Sequence, residues 1–519
     1  MGAEDYKLIT ERVGLPGAVA LLVGTAIGMS IFVVPTQMTA EAGPSIVLAI
    51  LVSIPPMILG VLLLLQMGGA IPVAGGIYVY ASRLVGPFWG LIGVAIPVIA
   101  VTAYLIFAAM GFANYLTGVF LDPSLVTGPI EALGIGNTEA AAEILMVTLA
   151  AWLILGLFLF LNYVGIQLVT KIQIGLVLIL LAGLVTFIIA GALSFDPDNL
   201  TPMFPDGEMA DGEPAPFSEG MLPFIVAIVT LYIPFQGFSM IIEIGEELED
   251  PIKNIPRVLG VGMAIVAVIS VGLVVALVGA VPWEDTIVDG EPVAAGLAAE
   301  EVGGAIMPGW AVLFVAVAAL VAAATTVNTL LTSYSRTIMR AARDEVVPKQ
   351  LAAVHGTFNT PYKALLMLGL PAILLVPVAV SIDVLVNVEG LLFGDVETVL
   401  DWLVVVVVTG IFIAFMIGGV ALWRLPQEFP ARYEHSFYKL PMPVLKVVAV
   451  GNVLVSFIFT IFVATTAPTA LVFVLLCMVI FGVVHVWRVR RYEAKGIDLK
   501  RRMALLDKHE RVGETSSDE

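Results

Sequence analysis

Two stretches hold residues whose types and spacing free backbone groups for chemistry. "GTAIGMSIFVVP" runs from Gly24 to Pro35 inside the first long apolar run, and "LYIPFQGFSM" carries Pro234 and Gly237 in the middle of another. Glycine and proline at such places interrupt an α-helix, leaving N–H donors at the start of its second half and C=O acceptors at the end of its first. The donor end carries partial positive charge and the acceptor end partial negative charge, so a broken helix can hold opposite charges without burying a charged side chain. In hydrocarbon an unpaired backbone group is costly, and a break survives only where it is buried in protein or lines a cavity. One break alone is ordinary, because glycines also serve close helix packing.

The elements that must position these breaks are membrane spans. Of the 519 residues 60% are hydrophobic and 13% charged, and the mean hydropathy is +1.04, which excludes a water-soluble fold. Apolar runs of about 20 residues, the length that crosses roughly 30 Å of hydrocarbon as helix, occur at 14–36, 45–67, 87–118, 141–162, 166–193, 218–244, 257–282, 306–334, 362–382, 399–424, 442–464 and 466–488. They predict an all-α integral membrane protein with twelve transmembrane helices. A closed barrel needs short alternating segments instead. Spans 1 and 6 carry the central breaks, lie five spans apart and start on opposite sides. That predicts two five-helix repeats of inverted topology, each led by a discontinuous helix, with a substrate site near the midplane. The resulting divisions are a leader (1–13), a first repeat (14–193), a second repeat (218–424), two further helices (442–488) and a tail (489–519) too short for a second domain.

Charge sets the expected orientation. All 24 Lys and Arg fall in the leader, the even-to-odd connections or the tail, while the other connections are acidic, as in "DPDNLTPMFPDGEMADGEPAP". Both termini are therefore expected in the cytoplasm of a multi-pass cell-membrane protein. The net charge of −18 reads either as acids solvating the outer loops or as the acid-coated surface of a halophile. The start lacks the short apolar core and cleavage site of a signal peptide. Cys477, alone of its type, reads as a small buried apolar residue. The lipid bilayer and a small-molecule substrate are the expected partners; nothing points to nucleic acid, and the oligomeric state stays open.

Five stretches, in order, resemble the signatures of the amino acid-polyamine-organocation (APC) superfamily. "GTAIGMSIFVVP" is similar to its G-x-x-x-G-S-G-x-F-x-x-P motif, and "QMGGAIPVAGGIYVYASRLVGPFWG" to its P-x-A-G-G-x-Y-x-Y connection. "FQGFSMIIEIGEELEDPIKNIPR" resembles the span 6 signature, "NTLLTSYSRTIMRAARDEVVPKQLAAVHGTFNTP" the span 8 signature, and "LWRLPQEFPARYEHSFYKLPMPVL" the stretch after span 10. Four departures stand out. Met29 and Ser30 replace the usual Ser-Gly, Gln66 replaces a Glu, Ser239 stands where many members carry an acid, and Glu345 replaces a Gly.

The resemblance implies an amino acid permease with the LeuT-like 5+5 inverted repeat, not an enzyme, with no catalytic residues. It places the substrate's carboxylate and ammonium on backbone near Ala26, Ile27, Gly28, Met29, Ser30 and Ile31 in span 1, and Ile233, Phe235, Gln236 and Gly237 in span 6. The N–H groups of Met29, Ser30 and Ile31 would face the carboxylate, and carbonyls near Ile27 and Pro234 the ammonium. The substrate's side chain would point toward spans 3, 8 and 10. Tyr104 of span 3 either caps that pocket or packs in the bundle. Ser239, Ile233 and Phe235 favour a neutral substrate over lysine, arginine or polyamine.

Coupling is left with several readings. The lysine that replaces a sodium ion in some members is absent, with Leu180 in its place; Lys171 reads as an anchor. Sodium-dependent relatives of this fold hold the ion with span 8 hydroxyls and span 1 carbonyls, which here are Thr325, Thr326, Gly24 and Ile27. The threonines could equally bond back to their own helix. No other cofactor is expected. Glu243, two turns past the span 6 break, is either a proton relay or an interfacial acid. Glu246, Glu247, Lys253, Arg257, Arg336, Arg343 and Asp344 form either an inner salt-bridge gate or topological anchors. Outside transport, a membrane sensor that binds amino acids remains; proton-coupled transport, amine exchange and cation-chloride cotransport are the alternatives within it. The four histidines, His355, His435, His485 and His509, fall at or beyond span ends and form no enzyme site.

Overall fold

The computed structural model describes residues 12–121, 124–131, 137–206, 215–218, 220–288, 291–293, 296–389 and 399–494. Among the described residues the regular structure is helical apart from a two-residue antiparallel pair, Ile287–Val288 with Glu291–Pro292, between two spans, and a single parallel bridge between Val13 and Leu248. Its helices are α1 (Leu15–Ile27), α2 (Ser30–Ala42), α3 (Ile46–Ala70), α4 (Gly76–Tyr80), α5 (Pro87–Val119), α6 (Ser124–Glu131), α7 (Thr138–Val164) and α8 (Ile166–Leu193). There follow α9 (Leu222–Thr230), α10 (Met240–Glu243), α11 (Pro251–Ala280), α12 (Gly309–Arg343), α13 (Tyr362–Glu389), α14 (Val399–Glu428), α15 (Pro430–Glu434), α16 (Met442–Val463) and α17 (Pro468–Glu493). Prolines open α5, α11 and α17 within their first turn, where the missing N–H would be unpaired anyway.

Among the described residues eleven helical runs are long and apolar enough to cross a membrane, one fewer than the sequence predicts. The difference lies in Leu15–Ala70, which counts once although it has 56 residues. At about 1.5 Å per residue that run is more than twice the hydrocarbon thickness, and it turns through the short 3₁₀ segment Gly43–Ser45.

Burial separates an inner set of helices from an outer one. The most apolar windows of Leu222–Glu243, α14 and α5 are 88%, 83% and 78% buried, against 33% for α16 and 11% for α17. The inner helices are thus enclosed by the bundle, and α16 and α17 lie on its outside. Within that core α1 packs against α8, α11 and α12, and against the irregular middle of the run that holds α9 and α10. Val13, just ahead of α1, is tied to the far end of that run: its N–H donates to Glu247 O at 2.7 Å and Glu249 N donates to Val13 O at 3.1 Å.

Candidate substrate site

The first break is two residues long, Gly28 and Met29. α1 ends at Ile27, Gly28 has φ 45° and ψ −163°, and α2 begins at Ser30. That backbone conformation favours glycine, and so does the space, since a Cβ on Gly28 would lie 2.6 Å from Thr326 Oγ1 and 2.9 Å from Thr25 O. Of the donors expected at the new helix start, Met29 N is taken: it donates to Thr326 Oγ1 at 3.3 Å. Ser30 Oγ donates to Ile27 O at 3.4 Å, across the gap. The Met29 side chain turns to α5, where a Cβ on Gly111 would lie 2.9 Å from its Cγ. Ile31 is buried.

The second break is longer. After α9 the chain runs as 3₁₀ helix from Ile233 to Ser239 before α10 resumes. Pro234 near its start has no N–H to donate to the α ladder. Gly237 brings the two breaks into contact, because a Cβ there would fall on the backbone of Thr25 and Ala26, 2.6 Å from Thr25 C. Ile233 and Phe235 are buried beside it. Gln236 belongs to the same run, with its side chain outside the described residues.

Between the breaks and the facing helices is a cavity of about 10 Å³, lined by Ser30, Val34, Tyr104, Phe107, Ile233, Val404 and Val407. It has room for one water. Three residues picked from sequence, Ser30, Tyr104 and Ile233, meet here, and the Tyr104 hydroxyl lies 3.6 Å from where a Gly28 Cβ would stand. Phe107, three residues after Tyr104, shares its helix face and was legible on that ground. Val404 and Val407 come from a featureless valine run that gave no signal.

Of the proposed ion ligands, Gly24 and Thr325 meet directly, while Thr326 and Ile27 are bonded to other groups. Thr325 Oγ1 lies 2.9 Å from Gly24 O and 2.7 Å from Ala322 O, its single O–H shared between the two carbonyls, and Thr326 Oγ1 donates to Ala322 O at 3.0 Å. Both threonines thus bond back to their own helix, and Ile27 O accepts from Ser30. The side chain that reaches this place from α8 is Gln173, which sequence reasoning missed; Leu180 is simply buried. Gln173 Nε2 lies 3.4 Å from Thr325 O and 3.2 Å from Thr329 Oγ1, and a Cβ on Gly24 would overlap it. The network continues from Asn328 Nδ2 to Gln173 Oε1 at 2.7 Å, Asn162 Nδ2 to Asn328 Oδ1 at 2.9 Å, and Thr332 Oγ1 to Asn162 Oδ1 at 2.6 Å. The oxygens suit a hard cation, whereas the Gln173 amide presents a donor to the same face. Among the described residues no cluster of His, Cys, Asp or Glu could hold a metal.

Beyond Ser239 the buried polar groups become charged. Arg336 grips Glu247 through two bonds of 2.9 and 3.3 Å, the one ion pair between spans 6 and 8 given by the described residues. Arg83 Nη1 and Tyr78 Oη both donate to Asp344, at 2.5 and 2.6 Å. Burial raises the Asp344 carboxyl, but the Arg83 charge and hydrogen bond, with Arg340 and Tyr78, hold it below the usual carboxylate range. Lys253 is exposed and pairs with Asp250 at 3.0 Å on its own turn, so it is no part of such a gate. The Glu246 side chain lies outside the described residues.

The sequence pattern of the amino acid permease family matches residues 13–488. An uncharacterized transporter of Mycobacterium tuberculosis is 26% identical over 368 residues, 70% of this chain and 72% of its own length. A methylthioribose transporter of Bacillus subtilis is 25% identical over 437 residues, 83% of this chain and 84% of its own. A branched-chain amino acid permease of Bacillus subtilis is 22% identical over 377 residues, 71% and 75% respectively. With its apolar spans and this match over nearly its whole length, the chain belongs to the amino acid permease family of the APC superfamily, a family of multi-pass membrane transporters and not of enzymes.

Proposed function

We propose that this protein is a secondary transporter that moves neutral amino acids across the cell membrane by alternating access around the two contacting breaks. The observation that carries the reading is the approach of Gly237 to the Thr25–Ala26 backbone, which sets both interrupted helices against one small apolar cavity. A zwitterion fits this arrangement. Its carboxylate takes the N–H groups at the start of α2, beside Ser30 and Ile31, and its ammonium takes carbonyls near Ile27 and in the Ile233–Gly237 run. Its side chain enters the cavity between Val34, Phe107, Ile233, Val404 and Val407, none of which offers a counter-charge to lysine or arginine. The branched-chain permease among the relatives supports the same substrate class. Because the cavity holds only about 10 Å³, a substrate enters by parting the helices, which is the motion alternating access supplies.

In this reading Leu15–Ala70 crosses twice, giving twelve spans with both termini in the cytoplasm, and residues 14–193 and 218–424 form the LeuT-like inverted repeats ahead of 442–488. For coupling, Gly24, Ile27, Thr325 and Thr326 are the sodium ligands if sodium is used. The Gln173 donor facing Gly24 favours coupling without it.

The test is uptake of labelled branched-chain amino acids into proteoliposomes, with and without sodium. Wild type is expected to accumulate substrate, and Gly237→Leu to abolish uptake while expressing normally. Near-normal uptake by that variant would remove the breaks as the site. Substrate that binds, as judged by a raised melting temperature, yet is never accumulated would make the protein a sensor.

A further inference from the structure

Glu243 closes α10 and is 2% exposed, yet among the described residues it belongs to no ion pair. Its carboxylate is held by the Thr337 hydroxyl of α12 and by the backbone N–H of Ile77. Gly76 is pressed against it so closely that a Cβ there would overlap both carboxylate oxygens. The cations nearby are committed elsewhere. Arg336 grips Glu247, Arg83 grips Asp344, and the Arg340 side chain passes Gly75 and adds its charge to the field that lowers the Asp344 carboxyl.

The other groups that face Glu243 among the described residues are neutral. Tyr80 of α4 and Tyr334 of α12 lie within its field, and Ser239 stands one turn earlier on its own run. α5 and α14 present only Gly93, Pro97 and apolar side chains. A second cavity of about 10 Å³, room for one water, touches Ser239, Glu243, Tyr334 and Thr337. Its lining runs from Ser239, the last residue of the irregular run, to Thr337, next to Arg336 on α12. An ionised carboxylate buried without a cation is strongly disfavoured, whereas a protonated one is an ordinary hydrogen-bonded group. Acids buried inside spans are functional by default.

Taking the transporter reading above as given, we propose that Glu243 binds the proton that couples transport. On the outward-facing side the carboxylate takes one proton from water and forms an O–H bond. The closed pocket then carries a neutral acid. When the two ion pairs part and water reaches the pocket from the cytoplasm, that O–H bond breaks, one proton leaves to water, and the carboxylate stays solvated until the pocket closes. One substrate and one proton thus move together.

The experiment uses purified full-length protein in proteoliposomes, with labelled leucine as the probe. Two readouts are taken without sodium: accumulation driven by an inside-alkaline pH gradient, and exchange of labelled for unlabelled leucine with no gradient. For one proton per substrate, wild type should accumulate up to about tenfold per pH unit. Glu243→Gln should exchange leucine while its accumulation ratio falls to about one. If Glu243→Gln cannot exchange either, Thr337→Val decides, since it keeps the acid but removes its hydroxyl partner: a shifted pH midpoint of uptake supports the proposal and an unshifted one overturns it. Gradient-driven accumulation by Glu243→Gln, or wild-type exchange that no pH gradient can drive, would also overturn it while leaving transport standing. Wild type that neither accumulates nor exchanges leucine or any other amino acid defeats the transporter reading itself.

Discussion

At the level of the helix breaks the buried polar partners around α12 are all neutral: Gly24 with Thr325, Met29 with Thr326, and the chain Gln173, Asn328, Asn162, Thr332. Where α4, the end of span 6 and α12 meet, they are charged: Arg83 with Asp344, and Arg336 with Glu247. Neutral bonds inside a membrane protein contribute about 0.6 kcal/mol each on average, so many are needed and together they hold α1, α7, α8 and α12 as one frame. Removing one partner of a buried ion pair costs about 3–5 kcal/mol, because the other charge is left buried and uncompensated. Water admitted there can solvate the four charges, which makes the charged layer suited to opening and the neutral layer suited to staying put.

The strongest way to break this contrast is Asp344→Asn, which leaves Arg83 buried without its anion. We expect a loss of about 3–5 kcal/mol, seen as a markedly lower melting temperature in detergent; an unchanged melt would reduce the pair to ornament. Since Arg83 holds the Asp344 carboxyl low despite burial, the pair's contribution is complete above the ordinary carboxylate value, about pH 4, and disappears only as pH falls through the lowered one. The wild-type melt should accordingly show no change from this pair between neutral pH and about pH 5.

Gln173→Leu tests the neutral frame. It strands the buried Asn328 amide, a cost of about 1–3 kcal/mol. A melt as low as that of Asp344→Asn would erase the distinction between the layers. Gly28→Ala forces an L-residue into left-handed backbone at about 1–2 kcal/mol and pushes on Thr326, so uptake should fall roughly tenfold. Retained uptake would show that this break tolerates a side chain. Thr326→Ala removes two neutral bonds, from Met29 N and to Ala322 O, together worth about 1 kcal/mol, and should lower the melt only slightly and leave the sodium response unchanged. A raised sodium requirement in that variant would instead assign the Gly24–Thr325–Thr326 oxygens to an ion.

Much of the scaffold is legible in the chain, since apolar runs and the glycines and prolines inside them act locally. The interruptions fall where the sequence puts them, at Gly28 and around Pro234 and Gly237. The count of runs differs only because Leu15–Ala70 is nearly continuous helix. Glu345 shows a departure that local reading could not interpret. It adopts φ 60° where the family pattern has glycine, and its groups are engaged by Lys349, Arg488 and Tyr492. The contacts that offset the strain come from a helix 143 residues further on.

The sequence by itself determined that the chain spans a membrane, that two of its spans are broken at their centres, and that its basic residues gather on one set of connections, because each follows from transfer free energy or backbone sterics within a single segment. Only the tertiary structure decided that Gly237 lies on Thr25 and Ala26, that Thr325 meets a carbonyl 301 residues away, that Gln173 reaches the same place, and that Glu243 is buried with no ion pair among the described residues. Those outcomes depend on how helices cross and which faces they present, and in spans that are apolar on nearly every face no local pattern specifies the facing partner.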